Sequence, residues 1–381
     1  MPTKRNHLSS PIAAFIYSIG LLAGAAVLRA NTAPTPSGDE LLFTDGERLV
    51  GHFERSTGDS LTFKSDVVGE ITVSWSKVKT LTSSLPVAVV PKGVKFGRRR
   101  DTDRIPRGRI SVENQKIEVA DGSAAPPVIP VAAAGYVIDQ ATFQKSLRKP
   151  NFFEAWKGTA TAGVSLVLAT QNNRSYSSAI ALNRAIPTEP WMNPEHRTSV
   201  VFSSAFGQLT QPGQPVTKTS IYHAEAERDE YFSPSLYTFA EAAFDHNFSQ
   251  GLNLEQAFGG GLGWTVVKSG DEQFDLKAEL TYVNQQFALG SQNQRLVGSV
   301  FSEEYDHKFR HNVGLHEALS ASPAWSNTNA YSATADLILT IPITRHFSIS
   351  LSSLDTFLND PSPGFKKNSF QYTTGLTYTL P

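Results

Sequence analysis

The chain has 381 residues, with 34 Lys and Arg against 35 Asp and Glu, and no cysteine. A charge balance this close to zero gives no global attraction for nucleic acid, and the lack of thiols excludes a small disulfide-stapled scaffold. Charged residues make up 18% while Phe (23) and Tyr (11) are plentiful, the bulk signature of a β-barrel that balances an apolar belt with a polar lumen.

In chain order, "MPTKRNHLSSPIAAFIYSIGLLAGAAVLRANTA" carries Lys4 and Arg5, an apolar run from Pro11 to Leu28, then small residues. This is the layout of a secretory signal peptide over 1–30. An uncleaved anchor is the rival, because the run is close to the roughly 20 residues that span a bilayer. Gly20 and Gly24 interrupt it and no basic stop-transfer cluster follows, which favours cleavage near Ala25 or Ala30. No later apolar run approaches the length of a spanning helix.

Residues 40–84 hold short β-prone runs punctuated by Asp45-Gly46, Gly58-Asp59 and Gly69. Asp-Gly between alternating apolar residues signals a hairpin. Four or five such strands predict a small periplasmic β-domain of SH3-like or Sm-like type, with Phe53, Leu61, Val73 and Trp75 in its core. Residues 85–155, rich in Pro, Gly, Ala and Arg, read as a linker with a strand or two. Within it Arg98, Arg99, Arg100, Arg104, Arg107 and Arg109, with Lys92 and Lys95, face only Asp101 and Asp103. Such a block suits anionic lipid or lipopolysaccharide phosphates, or a solvated linker held extended by its own charge.

From 156 to 381 strand patterns recur, near 158–170, 174–186, 198–210, 217–231, 235–248, 251–267, 273–286, 293–307, 310–321, 328–341, 345–357 and 368–380. In "NSFQYTTGLTYTLP" Phe370, Tyr372, Leu376, Tyr378 and Leu380 share one face, with Gln371, Thr373, Gly375, Thr377 and Thr379 between them. Phe274, Leu276, Ala278, Leu280 and Tyr282 likewise oppose Asp275, Lys277, Glu279 and Thr281. Period two means strands, and these exceed the roughly 9 to 11 residues a tilted strand needs to cross a bilayer. The fold class is therefore all-β: an antiparallel transmembrane β-barrel of about twelve strands behind a small β-domain. Tyr231, Phe232, Tyr237, Tyr282, Phe287 and Phe357 fall near strand ends, where interfacial girdles are expected.

"FTDGERLVGHFERSTGDSLTFKSDVVGEITVSWSKV" followed by such a barrel, together with the aromatic strand, the Gly-Gly-Gly-Leu-Gly strand and the amphipathic strand between 227 and 287, resembles domain-of-unknown-function family 481. Its members are often described as salt-induced outer membrane proteins. The resemblance covers 40–82 and 156–381 and implies an outer-membrane location with the small domain in the periplasm. The chain departs from it at "ATQNNRS" (169–175), where a Gly-Asn-Thr turn is expected, and in ending on Pro381 rather than an aromatic residue.

Candidate chemistry is sparse. His223, Glu225, Glu227 and Asp229 alternate, presenting one imidazole and three carboxylates on one face. This suits a barrel hydrolase or a divalent cation. It suits equally a water-filled lumen, where acidic and basic rows face each other across the bore. Glu304 and Asp306 in "EEYDH" share a face in the same way. "AFGGGLGW" lacks a phosphate-loop lysine, so its glycines are expected to allow curvature or make room for a ring such as Trp264. "WMNPEHRTSV" (191–200) reads as a loop in which Trp191, His196 and Arg197 are free to touch sugar or phosphate. No cofactor or metal is expected and no enzymatic activity. The expected partners are outer-membrane lipid, the outer-membrane assembly machinery, and lipopolysaccharide or peptidoglycan. A structural, narrow-pore or envelope-stress role follows, with a barrel hydrolase or an exported soluble binding protein as alternatives.

Overall fold

The computed structural model describes residues 38–97, 102–122, 125–168 and 172–380. The expected signal peptide, Arg98, Arg99, Arg100, the turn residues 169–171 and Pro381 lie outside the described residues.

The first sheet has ten strands: β1 (Asp39–Phe43), β2 (Arg48–Thr57), β3 (Ser60–Ser65), β4 (Gly69–Ser74), β5 (Val78–Thr82), β6 (Val87–Pro91), β7 (Arg107–Glu113), β8 (Lys116–Ala120), β9 (Val128–Pro130) and β10 (Ala134–Asp139). Six of them close a ring in the order β1, β5, β7, β6, β10, β2 and back to β1. β3 and β4 continue from β2, while β8 and β9 continue from β7. Phe53, Leu61 and Trp75 are buried in its core and Val73 packs against it. The Trp75 indole N–H donates to Ser56 Oγ at 2.8 Å, so the largest core ring leaves no buried donor unpaired.

Residues 85–155 are not a linker: they supply β6 to β10, three of which are members of the ring. The reason is visible in "VAVVP". Val87 and Val89 enter the ring core, while Ala88 and Val90 enter a second cluster on the other face. A strand buried on both faces shows no alternation. The second cluster contains Phe96, Ile105, Ile138 and Phe143, the last on a short helix, α1 (Gln140–Ser146). It also takes Met192, from the connection that precedes His196, with Trp191 packed beside it and its ring tilted against that of Tyr136 at 5.5 Å. Trp191 and Met192 therefore act as a docking contact, and the segment read as one loop is strand from His196 onward.

The other sheet is a closed barrel of twelve antiparallel strands. They are β11 (Lys157–Leu168), β12 (Asn172–Ile186), β13 (His196–Thr210), β14 (Thr217–Tyr231), β15 (Leu236–Asn247), β16 (Leu252–Lys268), β17 (Glu272–Phe287), β18 (Gln294–Lys308), β19 (Gly314–Ser322), β20 (Ser332–Pro342), β21 (Phe347–Leu358) and β22 (Asn368–Leu380). Each pairs with its sequence neighbours, so Lys157 and Leu380 lie at the same end, called here the terminal end. The alternation has the expected sense. Phe370 is 67% exposed, Tyr372 62% and Tyr378 36%, all outside, whereas Thr377 between them is 3% exposed. The girdle expectation holds only in part. Phe232 and Tyr282 are exposed, but Tyr237 and Phe287 are buried, because their positions in the alternation point them into the bore.

Adjacent strands inside the barrel share eight to fifteen register pairs. The closing pair β11 and β22 shares five, from Gly158↔Leu380 to Ala162↔Leu376. Continuing that register would match Gly163 to Leu168 with Gly375 to Phe370, and among the described residues no pairing occurs there. We expect amides of β11 beyond Gly163 to exchange with deuterium faster than those of Gly158 to Ala162 in the folded protein. Equal protection along the whole strand would contradict the short seam.

Candidate functional site

The bore has two unlike walls. Strands β20 to β22 and β11 line it with hydroxyls and amides, among them Thr161, Ser348, Ser350, Gln371, Thr373 and Thr377. Ser350 and Thr161 both hydrogen-bond to Thr377 Oγ1. Strands β13 to β19, with Asp336 of β20, carry the charge, stacked from the terminal end toward the far end.

At the terminal end the hub is Arg197, second residue of β13. Its Nε donates to Asp229 Oδ2 at 2.5 Å, its Nη1 to Asp275 Oδ2 at 3.2 Å and its Nη2 to the Tyr237 hydroxyl at 3.4 Å. One layer on, Lys277 Nζ donates to both oxygens of Glu227 at 2.8 and 2.9 Å and stands 3.7 Å from Glu304. Higher still, His223 Nδ1 meets Asp245 at 2.8 Å and Nε2 meets Glu225 at 3.3 Å, and Gln285 Nε2 donates to Glu255 at 2.6 Å. Asp229 and Asp275 are 1% exposed and Tyr237 0%, so side chains fill the bore at the hub level.

The predicted row of His223, Glu225, Glu227 and Asp229 does share the inner face. The structure gives each member a different partner, and two of those partners, Arg197 and Lys277, lie within the acidic wall rather than across from it. This differs from the expected opposed rows. His223 has a carboxylate at each ring nitrogen, and among the described residues no serine hydroxyl bonds to it, so it lacks the arrangement of a general base with a nucleophile. Two groups bring three possible metal donors within 4.8 Å of one another: Glu225, Glu227 and Glu241, and Glu304, Asp306 and His316. In the first, the Lys277 ammonium already stands on Glu227. In the second, His316 Nδ1 is engaged by Asp306 at 2.9 Å.

Sequence reasoning missed Arg197 as the hub, because a proline-rich context marked it as loop. The glycines of β16 do make room for a ring, as expected, but the ring is that of Tyr237 rather than Trp264. A Cβ on Gly259 would collide with the Glu279 carboxylate and one on Gly263 with the Tyr237 ring. The glycines make room inside the bore for those two groups, whereas Trp264 is exposed on the outside.

The far end is closed by a clasp. The turn between β15 and β16 projects Gln250, 1% exposed, whose Nε2 donates to the carbonyls of Thr356 at 3.0 Å and Lys367 at 2.9 Å. These lie on β21 and just before β22, six strands away around a ring of twelve, so the side chain joins opposite walls. Gly251, at φ +68°, follows it, and a Cβ there would strike Phe365 and Ser362 at 2.8 to 2.9 Å.

Of the basic block, Arg107 pairs with Asp103 at 3.5 Å and lies 5.7 Å from the Phe143 ring, while Arg104 and Arg109 are exposed. Just before the barrel, the Asn151 N–H and then the Arg148 guanidinium hold the Glu154 carboxyl below its usual range. That turn's carbonyls at Asn151 and Glu154 accept from the buried Arg184 at 2.9 Å each.

A family model described as "Protein of unknown function, DUF481" matches residues 160–380. No curated protein matches. Among solved structures, the NanC porin is 10% identical, with 58% of this chain and 100% of that one covered at a TM-score of 0.36. The COG4313 outer membrane channel from Pseudomonas putida F1 is 10% identical, with 61% and 100% covered at 0.36. OprB from Pseudomonas putida is 9% identical, with 59% and 92% covered at 0.28. Likenesses at these scores leave the reading to the chain's own geometry.

Removing one partner from a buried ion network costs about 3–5 kcal/mol, because the charges left behind stay desolvated. We therefore expect Arg197→Met to lower the urea midpoint of the folded barrel, and Asp229→Asn with Asp275→Asn in the same chain to restore most of the loss. An unchanged midpoint in Arg197→Met would show that the hub contributes no stability.

Proposed function

We propose, for a chain that belongs to the DUF481 family, that it is an outer-membrane β-barrel of the bacterial envelope whose bore is stoppered, serving as a structural element or narrow pore. The observation that carries this is the sense of the alternation: aromatic and aliphatic side chains outside, hydroxyls and charges inside. Each large apolar side chain moved from water into hydrocarbon contributes about 1.5–3 kcal/mol, and a closed ladder leaves few backbone groups unpaired in lipid. In a soluble molecule Phe370 and Tyr372 would stand in water with no such return.

In this reading the small domain lies on the periplasmic side with the chain termini, where peptidoglycan or a protein is its natural contact. Outer-membrane lipid surrounds the barrel, the outer-membrane assembly machinery inserts it, and Arg109 is exposed to anionic phosphates. The Arg197 hub and the Gln250 clasp narrow the bore at its two ends. What passes is favoured by the acidic wall, in which Glu225, Glu227, Asp229, Glu241, Asp275, Glu279 and Glu304 outnumber Arg197 and Lys277.

Fractionation tests the location: a heat-modifiable band in the outer-membrane fraction is expected, and release by osmotic shock overturns it. In planar bilayers the protein should show a small, cation-preferring conductance that rises in Gln250→Ala. A large, unselective conductance from the unaltered chain would rule out the stoppered bore.

A further inference from the structure

At the far rim, on the outside of the barrel, Ser220 of β14 lies beside His246 of β15. Ser220 Oγ and His246 Nε2 are 2.9 Å apart, and His246 Nδ1 is 2.8 Å from the backbone carbonyl oxygen of Asn253, the second residue of β16. These contacts fix the tautomer. A carbonyl oxygen only accepts, so Nδ1 carries the ring proton. In the neutral imidazole Nε2 is then bare, and the Ser220 hydroxyl must donate to it. Three adjacent strands thus place a hydroxyl, a base aimed at its proton and an acceptor that holds the base in that tautomer. This is the order of parts that activates a serine nucleophile.

The surroundings indicate what such a hydroxyl would meet. The Tyr222 ring lies 5.6 Å from the imidazole, and Tyr222, Phe244, Phe248 and Phe258 are exposed around it. Toward the rim, Lys218 lies on the same outer face two residues before Ser220. Its register partner Gln208 is in turn paired with Arg174. Both cations are exposed. Aromatic surface on one side and cationic surface on the other match a molecule with an acyl chain and an anionic head, joined at an ester.

We propose that Ser220 and His246 are the nucleophile and general base of an esterase acting on acyl esters of anionic lipids. Ser220 Oγ adds to the ester carbonyl carbon while its proton passes to His246 Nε2 and the carbonyl electron pair moves onto oxygen. The tetrahedral species collapses, the bond to the alcohol oxygen breaks, and the proton on Nε2 leaves with the alcohol. Water then adds to the acyl-serine with His246 taking its proton, and the carboxylic acid departs as Ser220 regains its hydrogen. One ester bond and one water are consumed, with no other reagent. The substrate class rests on the membrane location proposed above, whereas the nucleophile does not.

The test uses the full chain in detergent micelles and in phosphatidylglycerol vesicles. In micelles, a fluorophosphonate probe is expected to give a single adduct mapped by mass spectrometry to Ser220. The adduct should be absent in Ser220→Ala, at least 100-fold slower to form in His246→Ala, and unaffected in Ser204→Ala, a serine bonded to Ser178 on the same outer face. Heat-modifiability shows that each variant is folded. In vesicles, release of free fatty acid that Ser220→Ala abolishes supports the lipid class. Labelling of Ser220 with cleavage of p-nitrophenyl butyrate but no fatty-acid release overturns the lipid class and keeps the nucleophile. No adduct in the unaltered chain overturns the proposal and leaves the pair a hydrogen bond of the wall.

Discussion

Everything in this barrel depends on one constraint: a strand alternates its side chains, so a residue's parity decides whether it lives in the bore or on the outer wall. Strands as long as these keep that assignment from rim to rim. A slip of one residue in any ladder would exchange Asp275, Lys277 and Glu279 with Leu276, Ala278 and Leu280. The ion network would lose its partners and the outside would gain three charges. The apolar belt and the buried charges therefore enforce the same register.

The acidic wall shows how the chain keeps many carboxylates together. Arg197 and Lys277 stand among them, each bound to acids from a neighbouring strand and from one several strands away. β13 and β14 are thereby tied to β17 across intervening wall, and Tyr237 fills the space between. Glycines at 259 and 263 are the other half of this arrangement, since a side chain at either position would take the volume that Glu279 and Tyr237 occupy.

How much of this was legible in the sequence follows from the same physics. Long strands with one wet face announce themselves, so all twelve were readable, as was the family. Short strands buried on both faces do not. "VAVVP" among prolines and arginines looked like linker because both of its sides are apolar. Tyr237 and Phe287 looked like girdle residues because aromatic type and nearness to a strand end were weighed above parity. The row from His223 to Asp229 was visible as a face, but its partners come from strands up to 50 residues away, and separation along a chain carries no mark of contact across a bore. Ser220 and His246 were hidden for the same reason: the acceptor that orients the ring is a main-chain oxygen, which has no letter in the sequence.

The short seam gives the last few residues unusual weight. All the ladder pairs that join β22 to β11 fall between Leu376 and Leu380 on one side and Gly158 and Ala162 on the other. A polypeptide stopping at Gly375 would retain twelve strands, their parity and nearly all their mutual bonds, yet it would be a curled ribbon with two bare margins instead of a tube. Topology here hangs on five residues of β22, so the tube is completed only when Leu376 to Leu380 have zipped onto β11.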